Sequence, residues 1–441
     1  MNVATFGFSE DFVHFLWKYR LFDLKDLETV SGEQLEIKNT GFHNRDSGPD
    51  FEQAQIRIGS TLWVGNVEIH ISASDWQKHR HTQDEAYDSV ILHVVFRYDT
   101  RIIRADGTEI PTLELADRIP ADIQVRYKGL MENMNWIPCE KQLKSVEAIY
   151  INTWLNRLLV ERLEKRFIAL KNIVDEANGS WDNVFYVMMA QSFGFKTNSL
   201  PFELLAKSLP QHILARHKDN AMQIEALVFG QAGFLNQQLK DEYPRKLTSE
   251  YRFLKKKYRL QSNDRYIWKF FRLRPQNFPT LRLAQFAALV IKSNHLFSKV
   301  IQITEIAVVC EMFKELPVNE YWQSHFRFDN KTKIRSAQMG REGINNILQN
   351  TIAVALYSYG RYCGNKNYIA RSLSILESLP AEENQITRGF EQAGLKITKA
   401  SLSQALLHLE NNYCDQKKCL NCGIGIQLIN KKNDPKYTNL F

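Results

Sequence analysis

Five of the chain's eleven histidines, His43, His70, His79, His81 and His93, fall within fifty-one residues, and carboxylates interleave with them at Asp46, Asp50, Glu68, Asp75 and Asp84. Imidazole and carboxylate are the donors of divalent-metal sites and of acid–base catalysis. Each histidine alone is an ordinary core or surface residue, so geometry must decide. If Gly59-Ser60 closes a two-residue hairpin, residues whose numbers sum to 119 face one another, which sets Phe51 opposite Glu68 and Asp50 opposite Ile69. Asp50 and Glu68 then become neighbours. Alternation puts Glu68 and His70 on one strand face and Trp63, Val67, Ile69 and Ile71 on the other, toward the core. Strict alternation sends Asp50 to the Ile69 face, so joining the two acids requires a bulge, or Asp50 at the strand entry behind Pro49. Two carboxylates with a third polar group suit Mg²⁺ or Mn²⁺, which lowers the pKa of bound water and stabilises charge on a phosphoryl oxygen. The same residues admit a zinc site built from His70, His79, His81 and a carboxylate, and a plain solvated sheet face.

Two further groups carry chemistry. Cys414, Cys419 and Cys422 form C-x4-C-x2-C directly after a predicted helix, a spacing that brings three thiolates to one metal. A fourth ligand could be Cys363, His408 or Cys139. Zn²⁺ is the first expectation for this site and an iron–sulfur cluster the second. Residues 245–282 hold twelve Lys or Arg against two acids, interleaved with eight aromatics. Cations that follow a phosphate backbone beside rings that stack on bases suit single-stranded nucleic acid. Lys255, Lys256 and Lys257, with Arg272, Arg274 and Arg282 beside the helix-breaking Pro275 and Pro279, are the candidate contacts. An amphipathic helix pair with its lysines on the wet face accounts for the same pattern. The net charge of +8 divides unevenly: residues 1–100 carry sixteen acids and nine bases, a net −7, leaving +15 for the remainder. A basic remainder favours a polyanionic partner.

The elements that must position these residues are of two kinds. Ser9 to Tyr19 reads as a capped amphipathic helix. Strands follow at 34–38, 53–58 and 61–71, a helix is predicted over 73–87, and 90–96 is an apolar run suited to a buried strand. A hairpin of 102–104 with 110–115 turns through Ala105-Asp106-Gly107. From residue 151 the periodicity is helical: 153–171, 181–193, 201–209, 222–229, 283–293, 303–313 and 401–411. At 441 residues the chain exceeds one core, and with 44% hydrophobic and 24% charged residues it folds. No basic stretch leads into an apolar run at the N-terminus and no segment reaches about 18 apolar residues, so the expectation is a cytoplasmic protein with no membrane contact.

Gly48-Pro49-Asp50, an eighteen-residue step, and Val67-Glu68-Ile69-His70 resemble the motif of the PD-(D/E)xK nuclease superfamily, in which a helix precedes a three-stranded meander. Glu10 matches the acidic residue that some members carry on the first helix. The resemblance covers residues 9–97 and implies a restriction-endonuclease-like fold, a metal held by Asp50 and Glu68, and phosphodiester hydrolysis. His70 stands where that family has lysine. The resemblance therefore leaves three outcomes: His70 substitutes as base or ligand, Lys78 takes over from the following helix, or catalysis is lost. Over nearly its whole length the chain also resembles an uncharacterised bacterial family of unknown function, through GPDF (48–51), GNVEIH (65–70), SDWQKHRH (74–81), VILHVV (90–95), RLRPQNFPTLRLAQ (272–285) and YCDQKKCLNCGIG (413–425).

The resulting expectation is an α/β N-terminal domain with a mixed, restriction-endonuclease-like sheet (1–120), a connector (121–150), and a mainly α-helical region (151–441) ending in the cysteine site. The function expected is that of a metal-dependent nuclease with Asp50, Glu68, His70 and Lys78 at its centre. The alternative is a non-catalytic nucleic-acid-binding or scaffold protein, and a zinc hydrolase of small molecules is a third.

Overall fold

A computed structural model describes residues 8–44, 47–293 and 295–431; Asp46, among the interleaved acids, lies outside them. Helix α1 (Glu10–Tyr19) begins after Ser9 in extended conformation, carries Glu10 and Asp11 in its first turn, and ends on Arg20 in the left-handed conformation. Its apolar stripe, Phe12, Val13, Phe15, Leu16 and Trp17, is buried. Burying such a side chain contributes about 1.5–3 kcal/mol, which is what holds an isolated three-turn helix in place.

Six strands make one mixed sheet, in the order β1 (Leu35–Asn39), β3 (Phe51–Ile58), β4 (Thr61–Ser72), β5 (Val90–Arg97) and β6 (Thr112–Glu114), with β2 (Phe42–His43) also pairing with β3. The β1–β3 and β3–β4 pairs are antiparallel, whereas β4–β5 and β5–β6 are parallel. A parallel neighbour requires a crossover. Residues 73–89 make the one between β4 and β5. The predicted helix over 73–87 is only helix α2 (Asp75–Lys78) followed by two single turns, His81–Gln83 and Glu85–Tyr87. Arg80 takes a left-handed φ of 61° there and breaks the helix. Strand β5 is buried almost throughout, as its unbroken apolar run predicts for a strand covered on both faces. Trp63, expected in the core, is 48% exposed, because the first half of β4 extends beyond the covered part of the sheet.

The chain divides into two compact units. The first contains residues up to Trp154 together with 392–395 and 409 onward; the second contains 155–391 and 396–408. The division differs from the boundary drawn from the pattern. The stretch expected as a connector contains helix α3 (Ala121–Met131), and the C-terminal segment packs with it. Arg126 Nε donates to the Ile429 carbonyl (3.0 Å), Lys417 Nζ to that of Met131 (2.6 Å) and Lys431 Nζ to that of Ser145 (2.6 Å).

The second unit is helical. Trp181–Phe193, Phe195–Ser208, Ala221–Gln231 and Pro279–Lys292 bury an aromatic core in which Phe193 lies 5.5 Å from Phe286 and Phe202 lies 5.1 Å from Trp268, centroid to centroid. The helix expected over 303–313 is shorter, Ile306–Glu311, and a separate helix, Leu296–Gln302, precedes it. Arg371 ends the first by donating to the carbonyls of Val300 (2.9 Å) and Ile301 (2.6 Å). No helix among the described residues is long and apolar enough to cross a membrane.

Candidate metal centre

One backbone irregularity decides which side chains meet. From the Gly59-Ser60 turn as far as Ala54 opposite Gly65, β3 and β4 follow the expected register, but then it shifts and Phe51 faces Val67. Gln53 sits in the shift with a left-handed φ of 57°, its N–H donating to Asn66 Oδ1 (3.2 Å). This is a β-bulge, one extra residue that re-aims the strand beyond it. The slip brings Asp50 beside Glu68: the Asp50 N–H donates to Glu68 Oε2 (3.2 Å), and Asp50 Oδ2 accepts from the Ile69 N–H (2.9 Å).

The histidines converge on Glu68. His70 follows it by two residues, and His93 pairs with it across the parallel β4–β5 ladder. The loop after α2 supplies His79 and His81. Glu68 Oε1 lies 3.2 Å from His81 Nε2 and 3.6 Å from His70 Nε2, and His70 Nε2 lies 3.1 Å from His79 Nδ1. The ligand atoms of His70, His79 and His81 all lie within 4.8 Å of one another. Donors at about 2.0–2.2 Å from one tetrahedral ion stand roughly 3.3 Å apart, and the His70–His79 separation is close to that value. His81 Nε2 is buried and, although near Glu68, makes no hydrogen bond of acceptable geometry. A buried nitrogen in that state fits a metal ligand. Behind the set, His70 Nδ1 shares a 2.8 Å hydrogen bond with His93 Nε2, the outer contact that orients a ligating imidazole.

Electrostatics favour the donor states. Burial, reinforced by the neighbouring histidines, pushes the His70 pKa down to about 2, and burial with the His81 charge pushes His93 down to about 3. Both rings are neutral near pH 7, as metal ligation requires. Burial pushes the Glu68 carboxyl up, the Asp50 charge adds to that, and His81 opposes it. Tyr87 stacks on His81 at 3.8 Å, and burial and then the Glu68 charge push its hydroxyl up to about 12. His70 and His81 are buried, while His79 is exposed and forms the wet edge of the group.

Helix α1 adds a residue that sequence reasoning missed. His14 Nε2 lies 3.2 Å from Asp50 Oδ2. Burial works against its protonation, but the Asp50 carboxylate outweighs burial and raises its pKa. Glu10, one turn earlier, is pushed up by burial and feels both His14 and Asp50. The signal was present: Glu10 and His14 are four apart and share a helix face.

A family model described as "Protein of unknown function (DUF2851)" matches residues 10–385. The chain belongs to the DUF2851 family. No curated protein and no solved structure matches it. The matched part of this DUF2851 chain includes the whole histidine–carboxylate group and Cys139, while Cys414, Cys419 and Cys422 lie beyond it.

Other expected site residues are distributed unevenly. Lys78 pairs with Asp75 (2.6 Å) at the surface and makes no hydrogen bond or ion pair to Glu68, so it does not occupy the place of the missing lysine. In the second unit, Lys255, Lys256 and Lys257 fall in the last turn of the helix Glu242–Tyr258, with Lys256 and Lys257 exposed. Arg272 and Arg274 are also exposed, and the Arg272 guanidinium lies 5.2 Å from the Phe271 ring. Phe253, Tyr266 and Phe271 present their rings to solvent. Arg282 is a correction. It sits inside the helix Pro279–Lys292, is 6% exposed, donates to Gln285 Oε1 (2.9 Å) and Asn277 Oδ1 (2.6 Å), and lies 4.4 Å from the Phe195 ring. Its guanidinium is consumed in holding the core, because Pro279 starts the helix before it instead of leaving it on a loop.

Proposed function

We propose that this chain is a metal-dependent hydrolase of phosphodiester bonds in nucleic acid, with His70, His79 and His81 holding a divalent ion beside Glu68 and Asp50. The observation that carries the reading is the set of three imidazole ligand atoms, all within 4.8 Å of one another, with the buried His81 Nε2 3.2 Å from Glu68 Oε1. Three imidazoles favour Zn²⁺ or Mn²⁺ over Mg²⁺, which prefers oxygen ligands. Such an ion supplies Lewis-acid polarisation of a phosphoryl oxygen and a water of lowered pKa. Glu68 stands beside His81 with a carboxyl raised by burial, suited to receive the proton of the attacking water. His14, whose imidazolium Asp50 stabilises, is suited to give a proton to the leaving oxygen. The exposed edge at His79 is where substrate enters.

Two features support a nucleic-acid substrate of the restriction-endonuclease-like type. Helix α1 precedes antiparallel strands with an acid on each arm of the β3–β4 hairpin, which is what the resemblance implies. The second unit exposes rings interleaved with cations at 253–274. The test is cleavage of labelled single- and double-stranded DNA and RNA with Zn²⁺, Mn²⁺, Mg²⁺ or EDTA, for wild type, Glu68→Gln and His79→Ala. Products that need the cation and disappear in both variants are expected. Salt-sensitive binding with no cleavage under any cation would instead make the chain a binding module.

A further inference from the structure

The second unit holds a cavity of about 520 Å³ that no step proposed above uses. Arg162 and Arg166 line it from the helix Ala148–Glu176, where residues four apart share a face. Lys196 lines it from the first turn of Phe195–Ser208, and Glu382 from the chain that follows the helix Lys366–Ser378. Asn350 completes the polar part. It lies in a widened, π-type turn, Leu348–Ile352, a distortion that recurs at functional sites.

Uncharged partners hold the two guanidiniums in place. Arg166 Nη1 donates to the Asn350 carbonyl and its Nη2 to Asn350 Oδ1, both at 3.3 Å. Arg162 Nε donates to Gln404 Oε1 (2.8 Å), and Gln404 Nε2 donates in turn to Glu382 Oε2 (3.4 Å). An amide therefore links the arginine to the carboxylate. The terminal nitrogens of Arg162 make no protein hydrogen bond among the described residues. Three cations, Arg162, Arg166 and Lys196, thus line the cavity against one carboxylate, Glu382, an excess of two positive charges. Lys196 is exposed, whereas both arginines are partly buried. Burial pushes the Arg166 pKa down to about 10 and the Arg162 charge adds to that; burial pushes Arg162 down as well, and Glu382 opposes both shifts. Both arginines stay protonated at neutral pH, so like charges share a partly desolvated wall. An anion in the cavity offsets that cost. The rest of the lining is apolar, with Leu170, Met188, Val354 and the Phe195 ring, which Arg282 covers at 4.4 Å. Apolar walls with a few convergent polar groups, at this volume, are the form of a small-molecule site.

We propose that this cavity binds a small organic phosphate monoester, its phosphate between the forks of Arg162 and Arg166 and its organic part against the apolar wall. Charge selects phosphate. A monoester carries about −2 near pH 7 and matches the excess, whereas a single carboxylate supplies half of it. The guanidinium fork also matches the phosphate oxygens in shape. The site does not rest on the reaction proposed above.

The test is calorimetric titration of the full chain with adenosine 5′-monophosphate and glucose 6-phosphate, each beside its unphosphorylated parent, and with inorganic phosphate. At least one monoester should bind, about tenfold or more tighter than its parent and than inorganic phosphate, and the tighter of the two identifies the organic part. Arg162→Gln and Arg166→Gln should each weaken it by about 10- to 100-fold. Should either variant fail to fold, arginine labelling of wild type replaces it: the bound monoester slows phenylglyoxal modification of Arg162 and Arg166 several-fold and leaves the exposed Arg216 unchanged, read by peptide mass spectrometry. Neither monoester binding, a parent or inorganic phosphate binding as tightly, or variants of wild-type affinity overturns the proposal. So does a bound monoester that protects neither arginine, as one held at the histidine group would.

Discussion

The histidine–carboxylate group and the cysteine group share one unit of the protein and contrast in every property that governs metal chemistry. The first mixes nitrogen and oxygen donors, lies on two paired strands and the loop after them, and has a member, His79, in solvent. The second is all sulfur, wholly buried, and assembled from segments at 139 and 414–422. A site with an exposed edge and borderline ligands leaves room for substrate, whereas buried thiols behave as small apolar side chains of the core. The contrast places the proposed reaction at the first group and packing at the second.

That division can be broken by experiment. The largest effect on folding is expected from Cys414→Ser, which puts a hydroxyl at a buried position. The buried hydroxyl should cost about 1–3 kcal/mol and lower the melting temperature of the unit by several degrees, measured calorimetrically. A melting curve that matches wild type would remove the cysteine group from the core. Glu68→Gln should do the reverse. Cleavage falls by about 10²- to 10⁴-fold while stability holds or rises, since the change removes a buried carboxyl already pushed up by burial. If kcat survives and folding suffers, the roles are exchanged.

Acid should separate the two groups in the metal-free protein. His70 and His93 have pKa values depressed from 6.5 to about 2 and about 3, so the unfolded chain binds protons below pH 6.5 that the folded one refuses. The stability they contribute is present above pH 6.5 and is lost as pH falls toward those lower values, by roughly 2 kcal/mol for each histidine between pH 6.5 and 5. Urea unfolding at the two pH values measures this, and His93→Gln should flatten the dependence by about half. The same variant, with metal present, should weaken binding at the histidine set by about 10- to 100-fold in a chelator competition. The smallest effect is that of Lys78→Ala. Its exposed pair with Asp75 lies off the site, so cleavage and melting should both match wild type. A collapse of cleavage would restore to Lys78 the role of the missing lysine.

Much of this was legible in residue types. The stripe of α1, the turn at Gly59-Ser60, the buried run of β5 and the histidine cluster all follow from local pattern, whereas the Ser9 hydroxyl, expected to cap α1, meets Tyr127 instead. The sum-of-119 register was right only as far as Ala54, because a left-handed Gln53 is a choice that a β-forming residue makes under tertiary constraint. It was that slip which joined Asp50 to Glu68. Arg282 looked like a loop cation until packing against Phe195 enclosed it. Trp63 had the character of a core residue but no layer to cover it.

The sequence by itself determined which donors exist and how each short element is built, since backbone sterics, capping and side-chain period act over a few residues. Only the tertiary structure decided that His14 leans on Asp50 and that His81 rather than Lys78 turns toward Glu68. Those meetings depend on how a whole core closes, and loop closure over such distances is set by the sum of packing along the chain, which no local pattern records.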